Sequence, residues 1–395
     1  MSRRPGTIVF VITDLRVGGA EAMLERLVTA EPRLAETPIV VSLLPGGRHV
    51  ETLRAAGIRV VELRFDTVLG MPAGLIRLAR LIARERPDVV QGWMYHGDLA
   101  ALLALRLSGR RRRTRLLWGI RCADLDLARY GRQLGLVVRA CARLSGQPDV
   151  VTANSGAGLE AHLRLGYRPR RAEVVANGID TDRFRPDPAG RLAVRDELGL
   201  PAEGVVLAHV ARVDPAKDHD GFLAAMDMLP EVRAMMIGAG TERLPPRPNV
   251  LGLGQRDDVA RLLAAADIVV SSSTTEGFSN AIAEGMACGL PAVATDVGDT
   301  RLIVDDTGLL VRPGDPGAFA EAVRRLVAEG SAGRADRGAR ARARVVDCFS
   351  IARAQARFAA LYAAEPAPPT SPADRPHPVS DRAPRTEAGR EAPSG

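Results

Sequence analysis

Lysine is all but missing from this chain. Of its 54 basic residues 53 are arginines and one, Lys217, is a lysine. The net charge of +7 therefore reads as a compositional bias toward arginine, and no nucleic-acid partner is inferred from it. The same bias makes Lys217 conspicuous, because arginine fills the ordinary surface roles of a cation here. Cysteine is scarce as well. Cys122, Cys141, Cys288 and Cys348 lie far apart with no Cys-x-x-Cys pair, which excludes a disulfide scaffold and a cysteine zinc site and suits a reducing cytoplasm. Long apolar runs are absent too: the longest are strand-length, whereas a membrane-spanning helix needs roughly 20 apolar residues. The basic start Met1-Ser2-Arg3-Arg4 resembles a signal peptide, but the apolar run from Ile8 stops at Thr13-Asp14. It reads as a buried first strand.

What is present suits two large cores. With 395 residues, 46% hydrophobic and 26% charged, the chain allows two ordinary domains and a surplus. Continuous apolar runs alternate with helical patterns, the mark of parallel sheets covered on both faces. Strands are expected at Thr7–Thr13, Ile39–Leu44, Arg59–Leu63, Val89–Gln91, Arg115–Ile120, Val150–Ala153 and Ala172–Ala176. After a linker at Arg183–Pro188 the rhythm restarts at Val205–Val210, Ala234–Ile237, Asn249–Leu251, Ile268–Ser272, Ala292–Ala294 and Leu309–Val311. Helices are expected between them, among them Ala20–Glu31, Asp98–Leu107, Leu125–Leu144, Asp220–Leu229, Asn280–Ala287 and Pro316–Ala328. The fold class is therefore α/β, with two doubly wound Rossmann-like domains facing a cleft. Residues 1–182 form the first domain, 183–346 the second, and 347–364 a closing helix with apolar residues at helical spacing. Residues 365–395 hold eight prolines and one large aliphatic residue, Val379, and are expected to be a disordered tail.

Three constellations carry chemistry. In Glu276-Gly277-Phe278-Ser279-Asn280-Ala281-Ile282-Ala283-Glu284 a buried strand runs into a polar loop, and Ser279 can cap the following helix. Free backbone N–H groups then gather at a helix start, with Glu276 on the loop and Glu284 one turn in. Two carboxylates there suit a hydroxyl-rich ligand, although two glutamates eight apart also occur by chance. The second constellation, Arg212-Val213-Asp214-Pro215-Ala216-Lys217, places two cations in a strand-to-helix loop, where a guanidinium fork and an ammonium point charge can clamp a diphosphate. In the third, Gly18-Gly19 precedes an amphipathic helix, and glycine lets backbone approach a phosphate at the helix N-terminus.

These residues resemble the motifs of the family 4 glycosyltransferases, which have the GT-B fold. The resemblance runs from Gly18-Gly19-Ala20-Glu21 to Tyr362 and is strongest over 205–326. It implies that Glu276 contacts the donor sugar, that Glu284 holds the ribose hydroxyls, and that the backbone of Gly277 and Phe278 meets the sugar hydroxyls beside Ser279. Arg212 and Lys217 match the family's Gly-Arg-x-x-x-x-Lys-Gly pair for the donor diphosphate, with Ala211 and Asp218 in place of the glycines. The Gly19 loop would face the donor phosphates and the acceptor. The resemblance further implies a retaining transfer from a nucleotide-diphosphate-sugar to an acceptor hydroxyl, with no cofactor or metal. Arg212, Lys217 and Glu276 would form the catalytic set. Asn177-Gly178-Ile179-Asp180 would be hinge residues, and the closing helix would cross back onto the first domain.

The acceptor side is less legible. His96 follows a strand at its C-terminal end, where it can bind substrate, shuttle a proton, or simply cap or pack the helix. Many relatives carry a histidine where this chain has Arg121, an anion-binding candidate. That replacement keeps an alternative open: a non-catalytic nucleotide-sugar-binding scaffold of a glycan assembly. A dinucleotide-dependent oxidoreductase is excluded, because Gly238-Ala239-Gly240 lacks the third glycine and Pro245-Pro246 interrupts the helix that should follow. Asp124-x-Asp126, Asp180-x-Asp182 and Asp218-x-Asp220 share a metal-like spacing that recurs by chance. Six arginines within Arg106–Arg115 can dock on an anionic membrane or form a solvated loop, and no interleaved aromatics suggest single-stranded nucleic acid. A lipid-linked or glycan acceptor, cell-surface polysaccharide or glycolipid synthesis, and a cytoplasmic or peripheral inner-membrane location complete the expectations from the family.

Overall fold

The computed structural model describes residues 5–67, 70–123 and 131–363. The expected tail and Asp124-x-Asp126 lie outside the described residues. The first domain contains strands β1 (Thr7–Ile12), β2 (Thr37–Ser42), β3 (Arg59–Glu62), β4 (Val89–Trp93), β5 (Arg115–Ile120), β6 (Val150–Ala153) and β7 (Ala172–Val174). Its helices are α1 (Gly19–Thr29), α2 (Arg48–Ala55), α3 (Gly70–Glu85), α4 (Met94–Leu107), α5 (Gly131–Leu144) and α6 (Gly156–Arg164). Helix α7 (Pro188–Glu197) leads into the second domain, with strands β8 (Val206–Val210), β9 (Arg233–Ile237), β10 (Val250–Gly252), β11 (Ile268–Ser271), β12 (Ala292–Thr295) and β13 (Leu309–Val311). Its helices are α8 (His219–Asp227), α9 (Val259–Ala264), α10 (Asn280–Ala287), α11 (Thr300–Val304), α12 (Pro316–Ala328) and α13 (Gly330–Phe349), and α14 (Ile351–Tyr362) follows.

Each strand expected from the sequence overlaps an observed one. All pairings are parallel, in the orders β3-β2-β1-β4-β5-β6-β7 and β10-β9-β8-β11-β12-β13. Alternation within a buried strand supplies both faces: Ile8, Phe10 and Ile12 enter one core, Val9 and Val11 the other. Strand order reverses between β1 and β4 and again between β8 and β11. In doubly wound sheets, ligands bind outside the carboxyl ends of the strands at such switch points.

Three helices were not expected. Helix α7 starts inside the supposed linker: Asp187 is its N-cap, accepting from the Gly190 N–H at 2.9 Å, and Pro188 takes the first turn. Helix α11 is short. Helix α13 carries Gly333 and Gly338, poor helix formers, yet a Cβ at Gly338 would lie 1.9 Å from the Gly289 carbonyl oxygen, so glycine permits the close packing of α13 on the end of α10.

The chain crosses between the domains twice, and the crossings bond to each other. The Ile179 N–H donates to Phe349 O at 2.7 Å, and the Ile351 N–H donates to Ile179 O at 2.8 Å. A Cβ at Gly178 would meet Ile351 Cα at 2.7 Å, which explains the glycine in this ribbon. Beyond Ser350, α14 buries Phe358, Leu361 and Tyr362 in the first-domain core beside Ile8, Phe10 and Trp93, while α13 stays in the second-domain core through Ala341, Val345 and Phe349.

Candidate functional site

Both switch points open onto the cleft between the domains. After β1 comes the Gly18-Gly19 loop and α1, and after β4 comes α4 with His96 in its first turn. Across the cleft, the Arg212–Lys217 loop follows β8, and the Glu276–Ser279 loop follows β11. The sequence-predicted donor groups therefore converge. The Asn280 side chain lies 3.2 Å from where a Cβ of Gly19 would stand, so the glycine lets the domains meet there. Burial raises the Glu21 carboxyl, and the charge of Arg212 opposes that rise from the other domain.

The cation loop has a defined build. Lys217 closes a 3-10 turn, Pro215–Lys217, and its Nζ donates to Glu276 Oε1 at 2.5 Å. Glu276 also accepts from Ser273 Oγ at 2.8 Å. Among the described residues Arg212 pairs only with Asp214, at 3.1 Å, and its side chain is 65% exposed, leaving the guanidinium available to an anion. Asp218 stands at φ 47°, ψ 56°, the left-handed region that glycine enters at least cost. Its carboxylate offsets part of that cost by capping α8, accepting from the Gly221 N–H at 3.0 Å. Next to Ala211 a glycine is required: a Cβ at Gly238 would lie 2.1 Å from Ala211 O. Beneath the loop, Ser272 Oγ lies 2.8 Å from Lys217 O and 3.0 Å from Asp218 O. His209 Nε2 lies 3.1 Å from that hydroxyl, and burial holds this imidazole down to about 3, so it is neutral.

The second carboxylate is differently placed. Glu284 projects from α10 with its side chain 15% exposed, and burial raises it, while Arg26 and Arg183 lower it. Arg26 of α1 donates from Nη1 to Glu284 Oε1 at 3.2 Å. One expectation is corrected: Ser279 occupies the N-cap position, but its hydroxyl makes no capping hydrogen bond. The amides at the start of α10 are therefore not satisfied by that side chain. Phe278 turns its ring inward, 5.5 Å from Phe349 and edge-on, so its backbone is the part beside the cleft. A Cβ at Gly277 would come within 3.1 Å of Ser155 Oγ and 3.5 Å of Asn154 Oδ1.

The acceptor-side candidates separate. His96 is half-buried, makes no hydrogen bond among the described residues, and is lowered by burial, which favours its neutral form. Arg121 is 7% exposed, packed in the first domain with its Cζ 3.8 Å over the Trp93 ring and 5.5 Å from that of Phe358. Burial lowers it to about 9, with Tyr362 and then Asp98 opposing that fall, and burial raises Asp98 itself to about 8. Arg121 Nη1 donates to Asn177 Oδ1 at 3.4 Å, and Asn177 Nδ2 to Asn280 Oδ1 at 3.0 Å, a polar thread from β5 through the hinge to α10.

Sequence reasoning missed three cleft residues. Arg26 is one arginine among 53 and has no local signature. Asn280 bridges to the hinge. Asp299, from the second domain, accepts the Gly156 and Ala157 N–H groups at 2.8 and 3.1 Å at the start of α6. Asp180 spends its carboxylate on the Asp182 and Arg183 N–H groups. No group of three or more acidic, histidine or cysteine side chains that could hold a metal occurs among the described residues.

Two facing Rossmann-like domains with the closing helix returned to the first define a GT-B protein. Known proteins give the finer placement. Residues 17–183 match the family described as Glycosyltransferase Family 4, and residues 204–329 match Glycosyl transferases group 1. The chain belongs to this glycosyltransferase family. D-inositol 3-phosphate glycosyltransferase of Mycobacterium sp. (strain KMS) is 35% identical over 182 residues, 42% of this chain and 41% of that protein. The chain thus spans about two fifths of the length of the curated relatives it matches. Among solved structures, Anabaena Alr3699/HepE in complex with UDP superposes with a TM-score of 0.78 at 23% identity, covering 91% of this chain and all of that one. A glycosyltransferase from Rickettsia africae superposes at 0.74 and 20% identity, covering 91% and 98%. Both show the shared fold.

Proposed function

We propose that this protein transfers a sugar from a nucleotide-diphosphate donor to an acceptor hydroxyl, with retention of anomeric configuration and without a metal. The observation that carries this reading is the convergence of Arg212, Lys217, Glu276 and Glu284 on one switch point, facing the Gly19 amide across the cleft. Charge grows on the diphosphate as the sugar departs, and preorganised cations and amides at that position act most strongly in the transition state. Arg212 and Lys217 supply the cations. Glu276 and the backbone of Gly277 and Phe278 hold the sugar, and Glu284 holds the ribose. Lys217 Nζ donates to Glu276 Oε1, so the diphosphate cation and the sugar-holding carboxylate are joined directly.

UDP is the first donor base to try, because the Anabaena neighbour is described with UDP and UDP-glucose. A phosphorylated or lipid-linked polyol acceptor and a role in bacterial surface glycan or glycolipid synthesis follow from the family. The arginine run belongs to this proposal as an anionic-membrane contact, but it sits at the end of α4 and the start of β5, at the N-terminal ends of the strands and so opposite the cleft. Arg111 there is already paired with Asp149. Docking through it would hold the enzyme at a membrane without presenting the cleft to lipid. Among the described residues no helix is long and apolar enough to cross a membrane.

The test is saturation-transfer NMR against a panel of nucleotide sugars, with Lys217→Ala as control, followed by a transfer assay. Binding lost in the control, with turnover, supports the enzyme. Binding without turnover on any acceptor supports the scaffold. No binding by folded protein overturns the donor site.

A further inference from the structure

Helix α10 belongs to the donor-side domain and α1 to the acceptor-side domain, yet the guanidinium of Arg26 reaches from one to the other. It is held on three sides. Its Nε donates to Ala22 O on its own helix at 3.2 Å, and its Nη1 donates to Gly178 O in the hinge at 3.3 Å and to Glu284 Oε1 at 3.2 Å. Both side chains of the pair are 15% exposed, so the contact is largely shielded from water and salt. It is also one-sided. Among the described residues Glu284 Oε2 makes no hydrogen bond, which leaves that oxygen and the second lone pair of Oε1 for hydroxyl donors.

We propose that Arg26 is a positioning residue of the donor-ribose site: it aims the Glu284 carboxylate and completes the site only when the two domains are closed. This rests on the reading of Glu284 as the ribose-holding group. A carboxylate on a helix can rotate, and a ribose diol needs both oxygens at fixed directions. Arg26, anchored to its own helix and to the hinge, removes that freedom before the ligand arrives. Because the anchor comes from the opposite domain, opening the cleft withdraws it, and donor affinity becomes coupled to closure. The pair also opposes the upward pull of burial on the Glu284 carboxyl. The charged and titratable groups around Glu284 are Arg26 from α1, Arg183 from the linker after the hinge, Cys288 on its own helix, and Arg342 of α13, which donates to Ala287 O. Burial raises Glu284 and Arg26 is the first of the groups that lower it, so removing Arg26 lets the carboxyl take up a proton at higher pH.

The experiment is a ligand cycle by calorimetry with UDP, ADP and GDP, each against its 2′,3′-dideoxy form, for the full chain as wild type, Arg26→Ala, Arg26→Lys and Glu284→Gln. The expected result is that Arg26→Ala weakens binding of the preferred ribonucleotide about tenfold, the scale of one charge-assisted hydrogen bond. It should leave the dideoxy form unchanged, and Arg26→Lys should recover part of the loss. The acid limb of ribonucleotide binding should move to higher pH in Arg26→Ala. A purely structural role would weaken both nucleotide forms alike and leave the acid limb where it is, and that result overturns the inference. So does undiminished binding in Arg26→Ala while Glu284→Gln loses the ribose discrimination, which leaves the Glu284 reading intact. If wild type itself fails to distinguish ribose from dideoxyribose, the Glu284 reading falls and the inference falls with it.

Discussion

Asp218 offers a test in which two opposing effects can be weighed. It stands in the left-handed region, which costs an ordinary residue about 1–2 kcal/mol, and somewhat less for aspartate. Its carboxylate caps α8, a contact whose loss to alanine costs about 1 kcal/mol. Asp218→Ala keeps the strained backbone, raises its cost and removes the cap, for a total of about 2 kcal/mol. Asp218→Gly removes the cap but also the strain. Glycine at an N-cap costs only a few tenths of a kcal/mol, and its freer unfolded chain adds about 0.5–1 kcal/mol against the relief. The glycine variant should therefore lie within about 0.5 kcal/mol of wild type. Hydrogen exchange with mass spectrometry on peptides spanning β8 to α8 reads this segment directly. Asp218→Ala should exchange about thirtyfold faster there, and Asp218→Gly should follow wild type. Equal protection in the alanine variant, or a glycine variant as loose as the alanine one, would refute the assignment of a strained residue sustained by its own cap.

Three further outcomes are expected. Lys217→Ala should lower turnover on the order of a hundredfold or more, as for loss of a preorganised charge, measured by release of nucleoside diphosphate, with little change in melting because Glu276 keeps its bond from Ser273. Asp98 is raised in the folded chain to about 8, so the stability it contributes is fully present below its unfolded value and is lost as pH rises toward 8. Urea titrations should show wild type losing about 1.4 kcal/mol per pH unit in that window relative to Asp98→Asn, and parallel curves would contradict the buried neutral carboxyl. Phe358→Ala should cost about 3–5 kcal/mol, and it should appear first as protease sensitivity near Ser350 while the second domain stays folded.

Most of the fold was legible because parallel strands buried on both faces need unbroken runs such as Ile8–Ile12 and Ile268–Ser271, which few other elements produce. The donor groups were legible because they lie within short loops whose residue types declare their chemistry. Helix α13 was not, because its glycines serve packing against a distant turn rather than helix propensity. Arg26, Asn280 and Asp299 were hidden for a related reason. Each works only against a partner in the other domain, and no local pattern marks a pairing 258 residues apart such as that of Arg26 with Glu284. Ser279 shows the converse: the right residue at the cap position, with its hydroxyl making no bond to the helix.

The return of α14 also sets an order of assembly. The first sheet is complete in sequence at Val174, but the cluster beneath Trp93 lacks Phe358, Leu361 and Tyr362 until the chain has grown roughly 190 residues more. At 5–20 residues per second that is about 10–40 s of translation. During that interval the nascent first domain carries an uncovered apolar seat, which a chaperone can occupy and which the last helix must reclaim. Synonymous changes that slow synthesis across the second domain would lengthen the exposure without altering a single contact in the finished protein.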